Sequence, residues 1–149
     1  MRIIIQRVSE ASVTIEQKLH VAIHQGLLLL VGFEEMDSES DITWAVAKIA
    51  QMRIFNDSEN KMNLSIKEVK GEILAVSQFT LFADTRKGNR PSFTRAAPPA
   101  VAIPLYESFK QKMSDFLGQQ IQSGIFGADM KVNILNDGPV TILLDSKNK

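Results

Sequence analysis

One stretch constrains the chain more than any other: Gly71-Glu-Ile-Leu-Ala-Val-Ser-Gln-Phe-Thr-Leu-Phe-Ala-Asp84 is apolar through its middle yet carries Ser77, Gln78 and Thr80 toward its end. Its β-branched and aromatic content, bounded by Gly71 and by the polar Asp84-Thr85-Arg86-Lys87-Gly88 run, predicts a strand buried on both faces. Alternation along a strand places Gln78 and Thr80 with Leu74 and Val76 on one face, and Ser77 and Phe79 with Ile73 and Ala75 on the other, unless a bulge breaks the parity. Hydroxyls and amides inside a core normally find hydrogen-bond partners. The plainest reading of the three polar residues is therefore that they tie neighbouring backbone together.

The remaining pattern surrounds that strand with more sheet. Arg2 to Val8, Ala11 to Glu16, Leu19 to Ile23 and Gly26 to Phe33 read as strands joined by short connections, which predicts an antiparallel meander. Alternation in the third puts Leu19, Val21 and Ile23 on one face and His20 and His24, the only histidines, on the other as surface residues. Ser38 to Met52 has the apolar spacing of a helix at Ile42, Ala45, Val46, Ile49 and Met52, with Ser38 and Asp41 forming a capping box over a sheet-facing stripe. Asn56 to Lys61 is a polar turn before a short alternating strand, Met62, Leu64 and Ile66. Pro98 and Pro99 open a second helix lined by Leu105, Tyr106, Phe109, Met113 and Phe116, with Pro104 expected in its first turn. Val132 and Ile134, the turn Asn136-Asp137-Gly138-Pro139, and Val140, Ile142 and Leu144 read as a closing hairpin. The fold class expected is α/β of the α+β type: a mainly antiparallel, barrel-like sheet with two principal flanking helices, in a single domain spanning residues 1–149.

Composition removes several kinds of chemistry. The chain has no cysteine, which rules out disulfides, thiolate metal sites and a cysteine nucleophile. Its longest apolar run, Leu27 to Val31, is far below a membrane span, so the expected location is the cytoplasm and no membrane partner is expected. Seventeen basic residues balance seventeen acidic ones, so a nucleic acid would have to be met by a local patch rather than a global field. One such patch exists: Arg86-Lys87-Gly88-Asn89-Arg90-Pro91-Ser92-Phe93-Thr94-Arg95 holds four cations and an aromatic, and reads equally as a solvated loop or as a phosphate contact.

A hydrolytic triad needs a nucleophile, a base and a group that orients the base. Ser77 and Thr80 are alcohols without a neighbouring base, the histidines lie on a distant hairpin, and no His or carboxylate pair has metal-ligand spacing, so no metal and no cofactor are expected. If the chain is an enzyme, its substrate has to supply part of the reaction.

Ser77-Gln78-Phe79-Thr80 together with Asn136-Asp137-Gly138-Pro139-Val140-Thr141 resemble the two signature motifs of the D-aminoacyl-tRNA deacylase family, at that family's separation. Met1 to Val13, Asp84 to Phe93, Ala96 to Pro99 and Phe126 to Val132 resemble it too, so the likeness covers essentially the whole chain. Two small departures stand out, His24-Gln25 before the Gly26 strand and Asn89 in place of a frequently basic residue. The resemblance implies a homodimer that hydrolyses the ester between a D-amino acid and the terminal adenosine of tRNA, with glycine, being achiral, as a further substrate. It implies that Ser77, Gln78, Phe79 and Thr80 form the catalytic pocket, their backbone amides holding the ester carbonyl. It also implies that Gly138-Pro139, cis in the family, enters the partner subunit's site, and that Phe126 and Met130 lie near the adenosine. The ribose 2′-hydroxyl would then replace the missing base. Two other readings stand beside it: a hydrolase of small esters or amides in which Thr80 forms an acyl-enzyme, and a non-catalytic RNA-binding module using the basic loop.

Overall fold

A computed structural model of residues 1–149 contains eight strands and two α-helices. β1 (Arg2–Ile15) is one continuous strand where the apolar pattern suggested two. β2 (Lys18–Ile23) and β3 (Gly26–Gly32) both return along the same edge of β1. Ala11 faces Ile23 and Val8 faces Gly26, so one register carries across the His24-Gln25 interruption. The expected meander is thus a single long hairpin with a broken second arm. The register of β2 slips at His20, between Val13↔Val21 and Thr14↔Leu19, and that bulge reverses the alternation: Leu19 is turned out to solvent, away from the face of buried Ile23. His20 and His24 are exposed as expected.

α1 (Glu39–Gln51) begins at the Ser38 cap, whose N–H donates to the Asp41 carboxylate at 3.1 Å. Its Ile42, Ala45, Val46 and Ile49 pack into one core with Ile3, Ile5, Leu27 and Leu29 of the sheet. β4 (Phe55–Asn56) and β5 (Met62–Leu64) form a small separate antiparallel pair around the predicted polar turn. β6 (Glu72–Ser77) then runs parallel to β3, from Gly26↔Glu72 to Val31↔Ser77. It stops there. The predicted continuation to Asp84 is instead a 3₁₀ turn over Phe79–Phe82, anchored by the buried Phe82 ring, so Gln78 and Thr80 do not share a strand face with Leu74 and Val76.

α2 (Pro99–Leu117) starts at the proline, but Pro104 lies in the helix interior rather than in its first turn, so the Ala100 carbonyl has no N–H partner four residues on. Its buried stripe is Ala102, Tyr106, Phe109 and Met113, with Phe116 turned outward and Leu105 at the margin. β7 (Gln122–Ser123) extends the sheet, parallel to β6. β8 (Lys131–Asp145) is one strand rather than a hairpin: both halves pair antiparallel with β1, from Val132↔Val13 to Asp145↔Arg2. Between Asn136↔Val8 and Thr141↔Gln6 the register jumps, and residues 137–140 loop out without reversing the chain. The sheet is therefore mixed and barrel-like, ordered β8, β1, β3, β6, β7 with β2 continuing β3, and the helices cover one face. Val8, Val13, Leu28, Leu74 and Val76 form a second core on the other face. Neither helix is long and apolar enough to cross a membrane.

An ion cluster joins the ends of this sheet to α1. The Met1 amino group pairs with buried Asp37 and hydrogen-bonds the Ser146 hydroxyl, while Lys147 lies 3.2 Å from both Asp37 and Asp41. Burial of Asp41 opposes its ionisation, but hydrogen bonds from Lys147 and Ser38 outweigh it and bring its pKa from 3.8 down to about 2. A carboxyl depressed on folding stabilises the fold above its unfolded pKa and loses that contribution as pH falls through the folded one. Asp41→Asn is therefore expected to cost about 2 kcal/mol near neutral pH. In urea unfolding the difference from the parent should shrink as pH falls from 3.8 toward 2; a pH-independent difference would place its origin elsewhere.

Candidate active site

Parallel β3 and β6 run out at the same edge of the sheet, at Gly32 and Ser77, and the carboxyl ends of parallel strands are where backbone groups open onto a crevice. A cavity of about 280 Å³ sits there, lined on one side by Gly32, Ser77, Gln78 and Phe79 and on the other by the Phe126-Gly127-Ala128-Asp129-Met130 segment that precedes β8. Gly32 allows the close approach: a Cβ on it would lie 2.7 Å from the Gln78 carbonyl oxygen.

The chain turns sharply after Ser77 because its next backbone groups are taken elsewhere. The Gln78 N–H donates back to the Val31 carbonyl at 2.8 Å, and Leu81 and Ala83 close the 3₁₀ turn onto Gln78 and Thr80. The first N–H groups of such a turn, here those of Phe79 and Thr80, have no acceptor within it. The turn is clamped from behind: Arg2 donates to the Leu81 carbonyl at 3.0 Å, and the Arg2 and Arg95 guanidinium groups lie 4.9 Å and 5.8 Å from the Phe82 ring centre. The Gln78 side-chain amide contacts the Thr80 hydroxyl at 2.5 Å. An amide is no base in either orientation, so nothing beside Thr80 can take its proton.

The structure gathers Ser77, Gln78, Phe79, Phe126 and Met130 around one cavity, with Thr80 attached to its wall through Gln78. Gly138 and Pro139 are not among its lining residues. They stand exposed on the looped-out part of β8, joined by a cis peptide bond, with Gly138 at φ +124°. A Cβ at Gly138 would lie 3.0 Å from an Arg7 guanidinium nitrogen and 2.9 Å from a Val140 methyl, so the position is closed to side chains by both backbone angle and space.

Two residues that hold this arrangement escaped the sequence reading. Tyr106 donates its hydroxyl to the Ala75 carbonyl at 2.9 Å, tying α2 to β6 just before the cavity, and burial pushes its pKa well up. Arg7 is buried, with hydrogen bonds to the Ile54 carbonyl at 2.6 Å and the Asp137 carbonyl at 3.1 Å, and an ion pair to the Asp137 carboxylate. The signal was present: Arg7 shares the inward parity of Ile3 and Ile5, where a cation needs partners.

Fold and cavity together define a class of small mixed-sheet domain whose site is built from backbone groups and apolar walls rather than from a side-chain triad. The chain belongs to the D-Tyr-tRNA(Tyr) deacylase family, whose model matches residues 4–145. It is 57% identical to a D-aminoacyl-tRNA deacylase of Flavobacterium psychrophilum and 58% identical to one of Porphyromonas gingivalis, in each case over 100% of this chain and 99% of the relative. Among solved structures, the c-Myc DNA Unwinding Element Binding Protein superposes with a TM-score of 0.92 at 39% identity, over 97% of this chain and 98% of that one. A probable eukaryotic D-amino acid tRNA deacylase shares the fold, with a TM-score of 0.82 at 20% identity over 96% of this chain and 97% of its own.

Arg7 makes a direct test of how the exposed loop is held. Arg7→Gln is expected to lower stability by about 2 to 3 kcal/mol, since it strips charged hydrogen bonds from buried carbonyls. Hydrogen exchange should accelerate selectively across residues 136–141. Unchanged exchange there would mean that β1 pairing alone fixes the loop.

Proposed function

We propose that the chain is an editing esterase that hydrolyses the bond between a D-amino acid and the terminal adenosine of tRNA, releasing the free D-amino acid and the tRNA. The observation that carries this reading is the cavity at the ends of β3 and β6, where the Phe79 and Thr80 amides stand at the wall and no side-chain base stands beside the one alcohol. Amides of this kind suit the oxygen of a tetrahedral intermediate, on which negative charge develops. Water adds to the ester carbonyl carbon, the bond to the ribose 3′-oxygen breaks, and that oxygen leaves with a proton. The adjacent ribose 2′-hydroxyl, within reach of carbonyl and water, takes the part that a base would play. Ser77, Gln78, Phe79 and Thr80 form the reacting wall, and Phe126 and Met130 hold the adenosine. The whole of residues 1–149 acts as one domain, in the cytoplasm with its aminoacyl-tRNA substrate.

Selection of D over L falls to Gly138 and Pro139 of a second copy. Their backbone forms a wall that accepts the ammonium of a D-residue and collides with the side chain of an L-residue, which is discrimination by exclusion. Glycine has no side chain to exclude, so glycine mischarged on tRNA(Ala) is expected to be cleaved as well. The exposed, Arg7-held loop supports this assignment, since it lies outside its own chain's cavity and is available to another's.

The test is release of amino acid from D-aminoacyl-tRNA, from L-aminoacyl-tRNA, and from D-aminoacyl-tRNA lacking the terminal 2′-hydroxyl. Release from the first alone is expected. Release independent of the hydroxyl would instead support Thr80 as nucleophile, and binding without any release would support an RNA-binding module. Thr80→Ala is expected to retain measurable turnover, with a loss smaller than the roughly 10²- to 10³-fold worth of one oxyanion donor. An acyl adduct on Thr80 found by mass spectrometry would overturn that.

Dimerisation has its own test. β8 is paired on one edge only and exposes Ile134, Leu135 and Leu143, a surface suited to a second copy. Sedimentation is expected to give a dimer under assay conditions, and a fully active monomer would remove the cross-subunit site.

A further inference from the structure

Two exposed aromatics stand between the cavity and the basic loop. Phe79 belongs to the cavity wall yet is 55% exposed, and Phe93 packs its ring edge-on against it, 5.2 Å between centres, while itself 38% exposed. From this pair the loop projects as a finger: Asp84 and Ser92 exchange both backbone hydrogen bonds, at 2.7 and 2.9 Å, which closes residues 85–91 into a turn whose Gly88 has open space around it.

The charges of the finger divide into two kinds. Arg86 is bound to Asp84, holding that carboxyl far below its ordinary pKa, and Arg95 reaches Glu34 at 3.4 Å while lying against Phe82. Those two cations serve the fold. Lys87 and Arg90, nearest the tip, are exposed and form no ion pair. On a chain with no net charge, uncompensated cations beside an aromatic step that leads into a cavity match the chemistry of single-stranded nucleic acid, whose bases stack while its phosphates are neutralised.

We propose that this finger receives the single-stranded 3′ end of the tRNA, with bases stacking along Phe93 toward Phe79 and the flanking phosphates held by Lys87 and Arg90. The proposal rests on the aminoacyl-tRNA reading and adds where the polynucleotide lies. It also assigns unequal roles to four cations that look equivalent in the sequence: Arg86 and Arg95 shape the finger, and Lys87 and Arg90 touch the ligand.

The test measures binding of uncharged tRNA by the Lys87→Ala/Arg90→Ala double variant, together with cleavage of D-aminoacyl-tRNA and of 3′-O-(D-aminoacyl)adenosine, which has the ester but no flanking phosphates. The variant is expected to bind tRNA about 10-fold more weakly, and the slope of log affinity against log salt should fall by about 1.4, from about 0.7 per single-strand phosphate contact. The loss in kcat/KM should be larger on the tRNA ester than on the adenosine ester, and should lie in KM. Lys87→Arg/Arg90→Lys, which keeps both charges, should keep the slope. Unchanged tRNA affinity and slope, equal losses on the two esters, or the same loss against polyglutamate as against tRNA would each overturn the proposal. A parent protein that binds tRNA through Lys87 and Arg90 yet cleaves neither ester would sink the esterase reading and leave the finger standing.

Discussion

The site depends on the parallel seating of β6 against β3. In an otherwise antiparallel sheet, this pairing makes two neighbouring strands end together, so that Gly32 and Ser77 leave the ladder at one edge and the chain after Ser77 must find other partners. It finds one in the Val31 carbonyl and then folds onto itself as a 3₁₀ turn. Ile73 and Ala75 face the helix-covered core and Leu74 and Val76 the other, which fixes the strand from both sides. Side-chain packing thereby positions a short piece of backbone, and that backbone lines the cavity.

Sequence patterning revealed the elements better than their partners. The α1 cap, the start of α2 and the alternating strands follow from local spacing, and the structure has them. The stretch Phe79-Thr80-Leu81-Phe82 misled because its residues favour strands while its conformation is decided by where the neighbouring strand ends. Asp137-Gly138 misled in the opposite sense. An Asp-Gly pair between two alternating runs is a strong local hairpin signal, yet here both runs pair with the same neighbour, β1, and only that long-range pairing turns the reversal into a bulge. Bulges at His20 and at residues 137–140 are likewise silent locally, since each corrects a register that a distant strand sets.

The candidate site was legible to a similar degree. Ser77, Gln78 and Thr80 drew notice as polar residues on an apolar run, and two of them do line the cavity. Phe126 and Met130 came only through family resemblance, because an aromatic and a methionine before a strand carry no local mark of function. Arg7 and Tyr106 were invisible as site residues because both act on backbone carbonyls, and a carbonyl has no letter in the sequence. A site made of peptide groups is expected to read poorly in this way: its chemistry resides in conformation, and the side chains that matter are those enforcing it.

The same logic bears on β8. A strand of fifteen residues with one free edge and outward Leu135 and Leu143 is a hazard for a protein left alone, because open edges pair indiscriminately. Two features limit the hazard. The break at residues 137–140 interrupts the edge so that no long flat ladder is offered, and the β1 strand behind it is itself bulged at the same place. A loop that only blunted an edge could be any polar sequence. This one is held by a buried guanidinium at the cost of placing a cation in the core, and it excludes a side chain at Gly138 through that same contact. A buried charge contributes little net stability by itself, so its use here is better accounted for by the geometry it imposes. The edge that would otherwise threaten solubility carries a loop of fixed shape, and in the proposed dimer edge and loop are used by the same neighbour.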